Sequence, residues 1–459
     1  MKKWFSFVSL FAIFALLVAC SDDSQSEGKE SDDGGSDSGE EVTLSIASWS
    51  FGAEGEANLD RMMLEAFMEE HPNIKVEIDD SISDPWNESL ASAASGGEMP
   101  DVYAVPHLPT AIANDWMLDV TEYVEADEDY DTLPDTVKEA NSYSGTVYGI
   151  PAAQHILGYY VNKDLFNEAN LDVPYLGMSI DEFTSAVSNI TNVNQGVIGL
   201  NEANAIPEWY PAAASDELGW YTFNDGFHLN SNEFISGIEL ASNINTNGYA
   251  YATLSEDEKA NFDGEDANEV WMNSGIGIRW DGSWAIGVYE QNADFDWDFI
   301  GIPGDRTVIT HDYYGISSAT EHPEEAYELA KWMGFGKEGY MKRMEIADAE
   351  EEVSLNGVPL LNDQEVLDAY FERVDVPGLE ESYENIENAV VEPFKTTPGY
   401  GQARWEAPTG VAVGEEGNAT MGALIDASTK GDINIENYTG QINELANQKY
   451  QEELEAIGE

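Results

Sequence analysis

Residues 42–105 alternate between the two periodicities by which a chain buries one face, and this constrains the fold more than any other feature. Val42-Thr43-Leu44-Ser45-Ile46-Ala47 alternates apolar and polar positions like a half-buried strand. Asn58 to Glu70 puts Leu59, Met62, Met63, Ala66 and Phe67 on one helical stripe. A His71-Pro72-Asn73 turn leads into a second strand, Ile74 to Ile78. Glu88 to Ala94 reads as a helix stopped by Gly96-Gly97, and Asp101 to Val105 as a third strand. Strand and helix in this order predict an α/β protein with a parallel sheet flanked by helices.

Roughly 420 residues follow the first 41, more than one core usually supports, so two domains are expected. The chain carries 19 Lys+Arg against 89 Asp+Glu, a formal net charge of −70. Sixteen of the bases and 80 of the acids lie beyond residue 41, so the charge belongs to the body. A field of this size repels nucleic acid and anionic lipid and disfavours anionic ligands. It also strains the compact state unless salt screens it, since the Debye length falls from about 10 Å at 0.1 M to about 3 Å at 1 M. With lysine so scarce, adaptation to a saline environment is the favoured reading and an ordinary acidic secreted protein the plainer one.

The start of the chain has its own logic. Lys2 and Lys3 precede an almost unbroken apolar run, Phe5 to Val18, too short to span a membrane comfortably. The run ends in Leu17-Val18-Ala19-Cys20, and Cys20 is the chain's single cysteine. This reads as a bacterial lipoprotein signal, residues 1–20, with Cys20 as the lipid-attachment site. An ordinary secretory signal with an accidental cysteine is the alternative. Residues 21–41, built mainly from Ser, Asp, Glu and Gly, cannot bury enough apolar surface to fold and read as a disordered acidic tether. The body is thus expected at the extracellular face of the cell membrane, attached through its lipid alone. With one cysteine no disulfide forms within the chain, so packing alone must hold the fold.

Six segments in order carry a family resemblance: Ala66 to Val76, Ala94 to Val102, Tyr148 to Pro151, Tyr159 to Phe166, Gly275 to Trp284 and His322 to Tyr327. Together they resemble the family 1 extracellular solute-binding proteins, the sugar-capturing components of ABC importers. The resemblance implies a two-lobe periplasmic-binding-protein fold, each lobe a mainly parallel sheet flanked by helices. Lobe 1 would comprise 42–148 and 304–355, and lobe 2 would comprise 152–300 and 359–459. Hinges are expected near 148–151, 299–303 and 355–359, where Gly149-Ile150-Pro151, Gly301-Ile302-Pro303 and Gly357-Val358-Pro359 recur. It further implies a mono- or oligosaccharide ligand, partnership with the transmembrane subunits of an ABC permease, and a monomer without cofactor or metal.

Sugars present flat apolar faces to aromatic rings and bridge their hydroxyls to carboxylates, amides and guanidinium groups. Trp49-Ser50-Phe51 follows the first strand at the end where open α/β sheets bind ligands, with Glu54 close behind. His107 holds the equivalent position after the third strand; the plain alternatives are a core tryptophan and a loop histidine. By resemblance Trp284 is a stacking tryptophan, accompanied by Trp280 and Asp281, while Arg279 could equally be a structural ion pair. The same resemblance implies Trp209, Trp405 with the adjoining Arg404, and Gln154 with His155, while the Tyr313-Tyr314 pair stands where many relatives have glycines.

Catalytic motifs are missing. No histidine opens an H-E-x-x-H pattern, and there is neither a G-x-S-x-G elbow nor a G-x-x-x-x-G-K-[ST] loop. The acidic run Asp127 to Asp131 could hold calcium, although a solvated loop is the simpler reading. The leading expectation is therefore a lipid-anchored binding protein for a neutral sugar, with no bond made or broken. A surface glycoside hydrolase and a polyamine- or cation-binding protein of the same fold stay open. Thermal unfolding is expected at higher temperature as NaCl rises from about 0.05 M to about 1 M; a flat or falling midpoint would remove the case for salt adaptation.

Overall fold

Alternation in β1 (Val42–Ala47) resolves as expected, with Val42, Leu44 and Ile46 buried and Thr43 exposed. The computed structural model describes residues 41–53, 55–350, 352–386, 389–415 and 417–458. Cys20, residues 21–40 of the expected tether, and Glu54 lie outside the described residues. β2 (Ile74–Ile78) and β3 (Val102–Ala104) flank β1 in parallel, Val42 facing Ile74 and Ile46 facing Val102. The helix Trp86–Gly96 ends at Gly97, whose φ of 71° is the left-handed conformation that glycine adopts without penalty.

Further along are a two-stranded pair, β4 (Ser142–Tyr143) and β5 (Thr146–Val147), then β6 (Gly149–Asn162), β7 (Ile198–Leu200) and β8 (Ile276–Gly282). β9 (Trp297–Gly301), β10 (Val308–Ile316) and β11 (Val390–Val391) follow. The main sheet runs β2-β1-β3-β10-β6-β8-β7, with β9 also on β6 and β11 also on β10. It is parallel toward both ends and antiparallel in the middle, where β10 pairs with β3 and β6, and β6 with β8 and β9. The antiparallel centre comes from the 14-residue β6, which holds β10 along Gly149–Leu157 and β8 and β9 along Leu157–Asn162. At Gly158 a side chain would meet the Cα of Gly301 at 2.6 Å, so glycine permits the close approach of β9.

Two large apolar clusters and a smaller one fill the structure among the described residues. One gathers Leu44, Phe67, Ile309, Leu329 and Trp332; another gathers Tyr159, Phe183, Trp209, Phe234 and Ile278. The third joins Ala47, Tyr103, Leu108 and Tyr313.

The helix Leu59–Glu70 departs in one respect from its sequence pattern. Met62 and Ala66 are only partly buried, whereas Leu64 and Asp60 are buried. The cause is distant in sequence: helices Pro323–Met333 and Lys337–Ala349 pack on it, widening its covered face. Trp332 donates its indole N–H to the Met63 carbonyl at 3.1 Å, and Arg343 pairs with Asp60 while also donating to the Met333 carbonyl. The acidic run is likewise engaged, since Lys331 bridges Asp127 and Asp129 at 2.7 and 3.1 Å. Arg343→Met leaves Asp60 buried without its cation and is expected to cost about 3–5 kcal/mol, read as a lowered urea midpoint. A loss below about 1 kcal/mol would mean that water already solvates the pair.

Candidate functional site

Residues directly opposite on an antiparallel pair share a face of the sheet. On β6 and β10, His155 faces Thr310 and Gln154 faces His311. Alternation therefore puts His155, Thr310 and Asp312 on one face and Gln154 and His311 on the other.

Asp312 organises the first face. One of its oxygens pairs with Lys395, and the other lies 3.5 Å from Nε2 of His155. Burial raises the Asp312 carboxyl, but Lys395 and His155 outweigh it and hold the group well below the usual carboxylate range. Lys395 in turn places its ammonium 5.8 Å from the centre of the Trp49 ring, and His155 meets Trp284 edge-on at 5.2 Å. A chain of contacts thus joins a tryptophan beyond the end of β1 to one in the turn after β8.

A second pair lies beside the first. The Arg404 guanidinium stacks 4.5 Å over Trp405 and 4.7 Å from Tyr221, and it pairs with Glu208 of the helix Ile206–Ala214. Between the two pairs stands Glu392, just after β11. Burial and the neighbouring Glu208 push its carboxyl up to about 7, against the pull of Lys395 and Arg404. Trp49, Trp284 and Trp405 are 40%, 43% and 53% exposed, and they are three of the five large apolar side chains left exposed among the described residues. A pocket under Trp49 is lined by Ser48, Gln154, His155, Asp312, Tyr314 and Asn356 among others.

Other expected contacts fall elsewhere. Phe51 is buried in the core, and Trp209 is wholly enclosed, its indole N–H donated to the Tyr159 hydroxyl at 3.0 Å. Neither has a ring face free for a ligand. His107 caps the helix Leu108–Ala113, bonding Thr110 at 2.8 Å and the Thr397 carbonyl at 3.1 Å. Burial lowers its pKa against the opposing pull of Glu453. Gln154 is fully buried, donating to the Pro359 carbonyl at 2.8 Å and meeting His311 at 2.9 Å. Asp281 is occupied by Arg279 and by the Tyr289 hydroxyl, so Arg279 is the structural ion pair. Trp280 is half-buried against Tyr159 and Trp220. Tyr313 and Tyr314 line the pocket but are almost wholly buried, and burial pushes both phenols far up.

Asp312, Lys395, Glu208 and Glu392 are absent from the contacts expected from the sequence. One signal was present for Lys395: in a body this poor in bases, a lysine beside an acid and two prolines (Glu392-Pro393-Phe394-Lys395, Pro398) is worth following.

Residues 52–335 match the bacterial extracellular solute-binding protein family, more than half of the chain. The chain belongs to that family. A multiple sugar-binding protein of Streptococcus mutans is 25% identical over 372 residues, covering 72% of this chain and 79% of the relative. An ABC substrate-binding protein of Listeria monocytogenes, solved in complex with cycloalternan, superposes with a TM-score of 0.68 at 20% identity. That match covers 89% of this chain and 99% of the other. A solute-binding protein of Thermotoga lettingae bound with α-D-tagatose gives 0.64 at 16% identity, over 91% and 100%. The two-lobe α/β binding-protein fold is common to these structures and to this solute-binding protein.

One buried base makes the protein's stability depend on pH. Burial, with His155 and Lys395 nearby, pushes the His311 imidazole down to about 3. An unfolded histidine takes its proton near pH 6.5, so the unfolded state binds more protons throughout the interval between. The stability tied to neutral His311 is thus complete above about pH 6.5 and is lost as pH falls toward 3. Urea unfolding between pH 4 and 7 is expected to show this slope, and His311→Asn to flatten it by up to about 1.4 kcal/mol per pH unit. An unaltered slope in the variant would mean that the folded protein already protonates this residue.

Proposed function

We propose that this solute-binding protein is the extracellular, lipid-anchored receptor of an ABC importer and captures a neutral sugar, an oligosaccharide rather than a single ring. The observation that carries the reading is the trio of exposed tryptophans, Trp49, Trp284 and Trp405, set among ion-paired polar groups. Aromatic faces of this kind cover the apolar faces of sugar rings, while Asp312, His155, Glu208 and Arg404 offer partners to ring hydroxyls. The sugar-binding relative and the saccharide-bound neighbours support the same class of ligand.

In this reading Cys20 carries the lipid and residues 21–41 form the tether. The lobes are 42–148 with 304–355 and 152–300 with 359–459, and the protein works as a monomer that delivers its ligand to permease subunits. Closure would bend the chain near 148–151, 299–303 and 355–359. Two of these segments run side by side, because the backbone and side chain of Gln154 both bond Val358–Pro359.

Tryptophan fluorescence titrated with neutral di- to tetrasaccharides, with product analysis on the same samples, tests the proposal. A saturable change with the sugar recovered intact is expected. Trp284→Ala is expected to cost about 2 kcal/mol, a Kd about 30-fold weaker. Shorter products would replace this reading with hydrolysis, and tighter binding of spermidine than of any sugar would replace it with cation capture.

A further inference from the structure

The charges around the three tryptophans do not cancel. Lys395 is matched by Asp312 and Arg404 by Glu208, and Glu392 is left over. Its backbone N–H bonds the Ile309 carbonyl at 2.8 Å, which fixes it beside β10. Its carboxylate accepts the Phe394 N–H at 2.9 Å and lies 3.5 Å from the Thr310 hydroxyl. Among the described residues no cation pairs with it. The charged and titratable groups acting on it come from every side: Glu208 from the helix Ile206–Ala214, Lys395 from its own loop, and Arg404 from the segment Gln402–Glu406. Tyr313 of β10 and Tyr400 also feel its charge. Three carboxylates thus share two cations.

A ligand that closes over this group displaces water, and an unmatched carboxylate then becomes more costly. A neutral saccharide brings no charge to match it, and an anionic one makes the imbalance worse. A proton is the simplest remedy, and it also turns the carboxyl into an O–H donor toward a sugar oxygen. We propose that Glu392 is a specificity-determining residue of this site, carrying a proton whenever a neutral saccharide is bound and excluding acidic sugars. The proposal rests on the saccharide reading given above. The Glu392 carboxyl, already raised to about 7 without a ligand, is poised for this role.

Isothermal titration calorimetry of the full chain tests it, in two buffers of different ionisation enthalpy, at pH 6 and pH 8. The probes are maltotetraose, xylotetraose, a chitosan tetramer and a tetragalacturonate. For the neutral probe that binds, close to one proton should be taken up per saccharide at pH 8 and almost none at pH 6. Its Kd should be about tenfold weaker at pH 8. Glu392→Gln should show no uptake and a flat affinity across this range. Should that variant not fold, Glu208→Gln removes the repelling carboxylate and should shift the uptake to lower pH. A pH-independent Kd in the parent overturns the proposal, as does uptake that persists in Glu392→Gln. Tighter binding of the chitosan tetramer than of either neutral probe would also overturn it, because an ammonium would then be supplying the charge. Failure of every saccharide to bind at both pH values would overturn the saccharide reading and this proposal together.

Discussion

The pairing of β6 with β10 is the constraint on which the rest depends. One face of this ladder is buried: Gln154 and His311 bond each other, and Gln154 holds the Val358–Pro359 segment through two further hydrogen bonds. The opposite face carries His155, Thr310 and Asp312 to the site. A slip of one residue would exchange the two sets, burying the ion-pairing carboxylate and exposing the amide–imidazole pair. The register is therefore specified twice, by the interior polar network and by the charge network outside it. The bulge between Asp312 and Tyr313 lies where this arrangement gives way to the aromatic packing of the third cluster.

Scarcity of bases gives each remaining one unusual weight. Arg343 locks the helix Leu59–Glu70 to its neighbours, Lys331 gathers the Asp127–Asp129 run, and Arg279 fixes Asp281. Lys395 and Arg404 stand in the site, each beside a tryptophan and each tied to a carboxylate. A surface this acidic can lose lysines freely where they only decorate it. Those that neutralise a half-buried carboxylate are costly to lose, because the partner would be stranded.

Local patterns in the sequence carried the strand–helix alternation and the helix stop at Gly97, and the position of Trp49 just beyond β1. They failed where a distant segment decided the outcome. Asp60 looks like a solvent-facing helix residue until Arg343, 283 positions away, is packed over it. Trp209 and Trp284 were both expected to face a ligand, yet Trp209 is enclosed by Tyr159 and Phe183 while Trp284 is left in the open. His107 follows β3, and there it caps the following helix. Glu208, Glu392 and Lys395 come from separate segments of the chain and meet only in the fold, and in a chain with 89 acids no spacing rule could have chosen two of them.

The distribution of charge also explains how an extreme surface can coexist with selective capture. A net charge of −70 acts on every charged solute, but its long-range part is screened within a few ångströms in strong salt. Inside the site the fields are short-ranged and set by matched pairs, which salt weakens far less. Recognition built on tryptophan faces and on carboxylates already paired with Lys395 and Arg404 is therefore largely insulated from the surface outside. Under the saccharide reading proposed above, a neutral ligand gains from this separation, since it carries no charge for the surrounding ionic strength to screen. Under the proposal made above, ligand charge and protein charge meet at Glu392, a carboxylate that no cation pairs among the described residues.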